Sequence, residues 1–124
     1  MVHGNHHLNS NGAFHQLSDR RMKKIYVLPL KQDDSLNIIK NLEACEYNYI
    51  DNDFKKSIGF IAQDIEIIDP LAVSKHDDIL SINYNNLFIH NINATKKLYE
   101  IIQNQNKIIE SLMLRIEILE NKIP

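Results

Sequence analysis

Ser18 stands five residues before Lys23 in the run Ser18-Asp19-Arg20-Arg21-Met22-Lys23. A serine hydroxyl becomes a nucleophile when a base takes its proton, and a neutral lysine amine is such a base. At the unperturbed lysine pKa of about 10.4, roughly one amine in 2,500 is neutral at pH 7. Base chemistry near neutrality therefore requires burial or a neighbouring cation to lower that pKa by up to about 3 units, roughly 4 kcal/mol of differential stabilisation. Arg20 or Arg21 would act in that direction. The spacing adds a constraint. Five residues along a helix turn the side chain by about 140°, which puts serine and lysine on different faces. In a strand they would lie about 16 Å apart on opposite faces. A working pair needs a turn between them, or a lysine from another chain. Serine and lysine at this spacing are common by chance, so the spacing alone does not assign the chemistry.

Other reactive side chains are less organised. His3, His6, His7 and His15 lie in a polar leader with neither cysteine nor zinc-finger spacing, so a solvated segment is expected there rather than a metal site. No cofactor is implied. His76 and His90 stand alone, and Cys45 reads as a small buried hydrophobe. The cluster Arg20-Arg21-Met22-Lys23-Lys24 has the composition of a localisation or phosphate-binding patch, yet no stacking aromatic is interleaved with it. With a net charge of −2, nucleic acid is not the expected partner.

The elements that must position these residues are short. A chain of 124 residues sits within the usual size of one domain and can bury one modest core. Hydrophobic residues at 44% and charged ones at 24% describe a foldable chain, and three glycines and three prolines argue against an all-β fold. No apolar run approaches a membrane span, and the histidine-rich start does not read as a signal peptide. The lone Cys45 excludes an internal disulfide and suits a reducing compartment.

Residues 1–17 form the leader, the end of a client or a linker; residues 18–84 form a mixed body; residues 85–124 form a long helix. Within the body, Leu36, Ile39 and Leu42 fit a short amphipathic helix after an Asp33-Asp34-Ser35 capping signal. Tyr47 and Tyr49 alternate like a strand that ends in a turn at Asp51-Asn52-Asp53. Residues 58–62 suggest a buried strand, and residues 63–68 a helical turn stopped by Asp69-Pro70. Residues 71–74 and 79–84 bracket Lys75-His76-Asp77-Asp78 as a hairpin would. The expected class is α+β, a small mixed body of short strands and helices followed by a long C-terminal helix.

That helix carries the clearest pattern. Leu98, Ile102, Gln105, Ile109, Leu112, Ile116, Leu119 and Ile123 alternate steps of four and three residues, a heptad seam. A helix of this length exceeds what so small a body can cover, so it should project and pair with copies of itself. Isoleucine at a with leucine at d favours two strands, whereas Ile101 and Ile108 widen the apolar face and suit three. The seam alone leaves the number open.

Taken together, three ordered blocks resemble one family. Ser18–Lys23 resembles the SDxRxK signature of the intramolecular chaperone domain at the C-terminus of phage endosialidases, tailspikes and tail fibres, the S74 self-cleaving peptidases. Ser57-Ile58-Gly59-Phe60-Ile61-Ala62-Gln63-Asp64-Ile65-Glu66, followed by Pro70 and Val73, is similar to that family's GxIAQE-type segment. Leu80-Ser81-Ile82-Asn83-Tyr84-Asn85-Asn86-Leu87 is similar to its entry into the terminal helix. The resemblance implies a virus-associated homotrimer that helps an upstream client polypeptide of the same precursor to fold and then cuts itself free. It implies Ser18 as nucleophile, Lys23 as general base, Leu17–Ser18 as the scissile bond, and Asp19 and Arg21 as supporting motif residues. The helix entry departs from the pattern in its polarity, with Asn91, Asn93 and Thr95. The alternative is a trimerisation or assembly module that keeps the fold without the cleavage.

Overall fold

Apolar pairs set off by polar turns close hairpins, and runs with 3.6-residue periodicity close helices. A computed structural model describes residues 6–8, 14–24 and 28–123. Strands β1 (His6–Leu8) and β2 (Phe14–Gln16) come first, then a 3-10 turn (Arg20–Met22) and helix α1 (Gln32–Lys40). Strands β3 (Cys45–Tyr49) and β4 (Asn52–Gly59) follow, then helix α2 (Ala62–Ile68) and a 3-10 turn (Pro70–Ala72). Strands β5 (Val73–His76) and β6 (Ile79–Ile82) lead into helix α3 (Tyr84–Glu120). Each sheet is a two-stranded antiparallel hairpin, β1 with β2, β3 with β4 and β5 with β6. The architecture is mixed α+β, with one long C-terminal helix, as the sequence predicts.

The local differences have physical causes. The leader is not a featureless solvated segment: β1 pairs with β2, with His6 opposite Gln16 and His7 opposite His15. His3 lies outside the described residues. Helix α1 begins before the expected cap. Asp33 and Asp34 sit in its first turn, where acidic side chains suit the helix dipole, and Ser35 is wholly buried. The β3–β4 turn falls at Ile50–Asp51, so Asn52 and Asp53 already belong to β4. A register shift between Tyr47 and Tyr49 absorbs the difference.

Residues 58–62 are not one buried strand. Ile58 is 78% exposed, Gly59 ends β4, and Ala62 opens α2. At Gly59 a Cβ would lie 2.8 Å from the Tyr84 hydroxyl, so glycine lets β4 approach the start of α3. Cys45 is half-buried rather than buried. In the β5–β6 hairpin, Asp77 and Asp78 form a two-residue loop with φ of 48° and 66°, the left-handed region that short polar side chains tolerate.

Ile65 of α2, Ala72 and Leu87 of α3 make a small core, and Leu42, Phe60, Val73 and Ile82 pack against it. Helix α1 lies along the first half of α3, which buries Ala94. The 37 residues of α3 span about 55 Å. From Ile102 to Ile123 every residue is exposed, the seam positions included. No described helix is long and apolar enough to cross a membrane.

Candidate active site

The Ser18–Lys23 segment folds around its own carboxylate. Asp19 caps the 3-10 turn: its Oδ1 accepts from the Arg21 backbone N–H at 2.9 Å. The Arg21 guanidinium grips the same carboxylate from the side, with Nε donating to Oδ1 at 3.0 Å and Nη2 donating to Oδ2 at 2.8 Å. This fork matches the two carboxylate oxygens and fixes orientation as well as distance. Hydrogen bonds from the Arg21 side chain, and then from its backbone, hold the Asp19 carboxyl below the usual carboxylate range. The partnership raises the Arg21 guanidinium in return. Met22 N–H and Lys23 N–H donate to the carbonyls of Asp19 and Arg20 at 2.9 and 3.2 Å, completing the turn.

The turn closes the five-residue gap within one chain. Lys23 Nζ donates to Ser18 Oγ at 2.7 Å. Of the arrangements open to the sequence, a turn between the two residues is thus the one that this chain adopts. Both side chains are exposed, and Leu17, on the other side of the peptide bond before Ser18, is 41% exposed. Arg21, one of the two cations near Lys23, is neutralised by Asp19 at 2.8 Å. The single chain therefore supplies geometry without desolvation.

The leader side of that peptide bond is also tethered. Gln16 ends β2, and its Oε1 accepts from Asn85 Nδ2 in the first turn of α3 at 3.2 Å.

A second serine has partners that sequence reasoning missed. Ser35 Oγ lies 2.9 Å from His90 Nδ1, and His90 Nε2 lies 3.4 Å from Asp69 Oδ2. Asn93 Nδ2 donates to Ser35 Oγ and to the Leu30 carbonyl, each at 3.0 Å. His90 does not stand alone, contrary to the sequence reading. The residue types are those of a hydrolytic triad, but Ser35 is 0% exposed and has no room for a substrate. The array braces α1 and the segment after α2 against α3. Lys97 reinforces it by pairing with Asp33 across α1 and α3 at 3.2 Å. His90, Asn93 and Lys97 recur at helical spacing, so a polar stripe along α3 was the available signal.

Tyr47 and Tyr49 cross edge to face, with centroids 5.2 Å apart and hydroxyls 3.3 Å apart. The hydrogen bond to Tyr49 pushes the Tyr47 phenol up to about 12. Among the described residues, no three His, Cys, Asp or Glu side chains gather as metal ligands would.

Among curated proteins, none matches the chain. The family comparison is positive and begins at the candidate nucleophile. Residues 18–74, from the Asp19-capped turn into β5, match the family model Peptidase_S74, chaperone of endosialidase.

Proposed function

We propose that this protein is a trimeric intramolecular chaperone that releases itself from an upstream client by cutting between Leu17 and Ser18. The match of residues 18–74 to the chaperone-of-endosialidase family supports a chaperone role towards upstream polypeptide and association with a virus. The cleavage and the trimer are our reading. The observation that carries it is the 2.7 Å contact between Lys23 Nζ and Ser18 Oγ across a turn locked by Asp19 and Arg21.

The chemistry follows from the connectivity. Ser18 Oγ attacks the carbonyl carbon of Leu17 while Lys23, as the neutral amine, takes the hydroxyl proton. Because nucleophile and leaving nitrogen belong to one residue, the attack closes a five-membered ring. Lys23 returns the proton to the Ser18 nitrogen, the C–N bond breaks, and the Leu17 acyl group is left as an ester on Oγ. Water then hydrolyses the ester, giving a Leu17 carboxylate and a chain that starts at Ser18. Packing of three copies would bury the exposed lysine and favour its neutral form. The unpaired seam from Leu98 to Ile123 supplies the means of assembly.

A non-catalytic assembly module is the second reading, and the exposure of Lys23 in one chain favours it. Mass spectrometry of freshly assembled protein separates the two. A fragment starting at Ser18 is expected from the parent and from neither Ser18→Ala nor Lys23→Arg, since guanidinium cannot serve as a base near neutrality. Cleavage that survives either substitution removes that residue from the mechanism. An intact parent trimer leaves the assembly module.

A further inference from the structure

Attack on the Leu17 carbonyl requires both sides of the scissile bond to be held. The Ser18 side is held by the Asp19–Arg21 turn. The leader side reaches α3: two residues before the bond, Gln16 Oε1 accepts from Asn85 Nδ2 at 3.2 Å. The donor is itself anchored. Asn83 Oδ1 accepts from the Asn85 backbone N–H at 3.1 Å, and Asn83 N–H donates to the Ala72 carbonyl at 2.7 Å. Asn86 Nδ2 donates to the Leu71 carbonyl at 3.0 Å. The three asparagines thus divide the work: Asn83 caps the helix, Asn86 ties it to the body, and Asn85 has its side-chain amide directed to the leader.

We infer that Asn85 is a positioning residue for cleavage, holding Gln16 so that the Leu17 carbonyl is presented to Ser18 Oγ; this rests on the cleavage reading above. With only the Ser18 side fixed, rotation about the Leu17 and Ser18 backbone bonds spreads the carbonyl over many orientations. Fixing both sides restricts the search, and restricted approach is where positioned reactions gain rate. The contact also gives assembly a path to the bond. Helix α3 runs unbroken from Asn85 into the exposed seam, so copies that pack on the seam order the same helix whose first turn grips the leader.

The test uses the chemistry of the amide pair. Gln16→Glu and Asn85→Asp each leave one amide facing one carboxylate, and the amide can turn to donate. The first turn of α3 has no acidic residue, so aspartate at position 85 favours the helix. The double variant sets two carboxylates against each other. Each single variant should cut within about twofold of the parent, and the double variant about tenfold more slowly. In uncut protein carrying Ser18→Ala, backbone amide exchange at His15, Gln16 and Leu17 should rise about tenfold in the double variant alone. A double variant that cuts as the parent does, or whose leader exchanges as the parent's does, overturns the role of Asn85. A parent trimer that does not cut overturns the cleavage reading and this role together, so the two failures are distinguishable.

Discussion

Among the described residues, Ser18 and Ser35 each have charged or titratable partners, and they sit in opposite environments. Ser18 lies on an exposed turn with Lys23 at 2.7 Å. Ser35 is wholly buried, with His90 and Asn93 against its hydroxyl and Asp69 behind the imidazole. By residue type the second group looks the more catalytic. By access it is a brace. What separates the two is access: the Ser18 side chain is open to solvent, whereas Ser35 is enclosed by its neighbours. The exposed group in turn lacks what the buried one has, a surrounding that excludes water.

Assembly is proposed to supply that surrounding, and breaking it should have the largest effect. Replacing Ile109 and Leu112 with aspartate puts charge at two seam positions, and unpaired buried charge is costly. The double variant should sediment as a monomer and lose cleavage. A monomer that still cuts would show that the exposed pair works without burial.

The buried array should respond in the opposite way. His90→Ala removes the imidazole that lies 2.9 Å from the buried Ser35 Oγ and 3.4 Å from Asp69 Oδ2, an oxygen with no hydrogen-bond partner, and so takes a polar neighbour from each buried group. The expected loss is about 2 kcal/mol of stability, read as a lower midpoint in thermal or urea unfolding. Ser18→Ala should leave that midpoint within about 0.5 kcal/mol of the parent, as exposed substitutions usually do. Equal losses from the two would erase the distinction between site and brace.

The smallest effect concerns pH at the exposed turn. Asp19 is held below the ordinary carboxylate value by Arg21, so the folded turn binds its proton less readily than the unfolded chain. The contribution to stability is therefore present above the unfolded value of about 3.9 and is lost as pH falls through the lower folded value. Carboxyl NMR shifts of Asp19 should titrate below those of an Arg21→Ala variant. Coincident curves would show that the guanidinium fork does not order the turn in solution.

Local patterns were legible from the residues. The heptad seam, the α2 stop at Asp69-Pro70 and the β5–β6 loop all depend on neighbours a few positions apart. So did the need for a turn between Ser18 and Lys23, because helix and strand geometry exclude their contact. The boundary errors share a cause. Ser35 looked like part of a cap because serine often bonds nearby backbone, but here its hydroxyl serves residues 55 and 58 positions away. Ile58 looked buried because it is apolar, yet the hairpin that carries it leaves it 78% exposed.

By itself the sequence determined the class of the fold, the length and apolar face of α3, and the need for a turn if Ser18 and Lys23 are to meet. Each rests on periodicity or spacing within one segment, where backbone geometry alone dictates which side chains can meet. Only the tertiary structure decided that His90 braces Ser35 and Asp69, that Asn85 reaches Gln16 across 69 positions, and that Ser18 and Lys23 meet in the open. Those outcomes depend on how separate elements pack, because burial and long-range hydrogen bonds are properties of the assembled core rather than of any stretch that enters it.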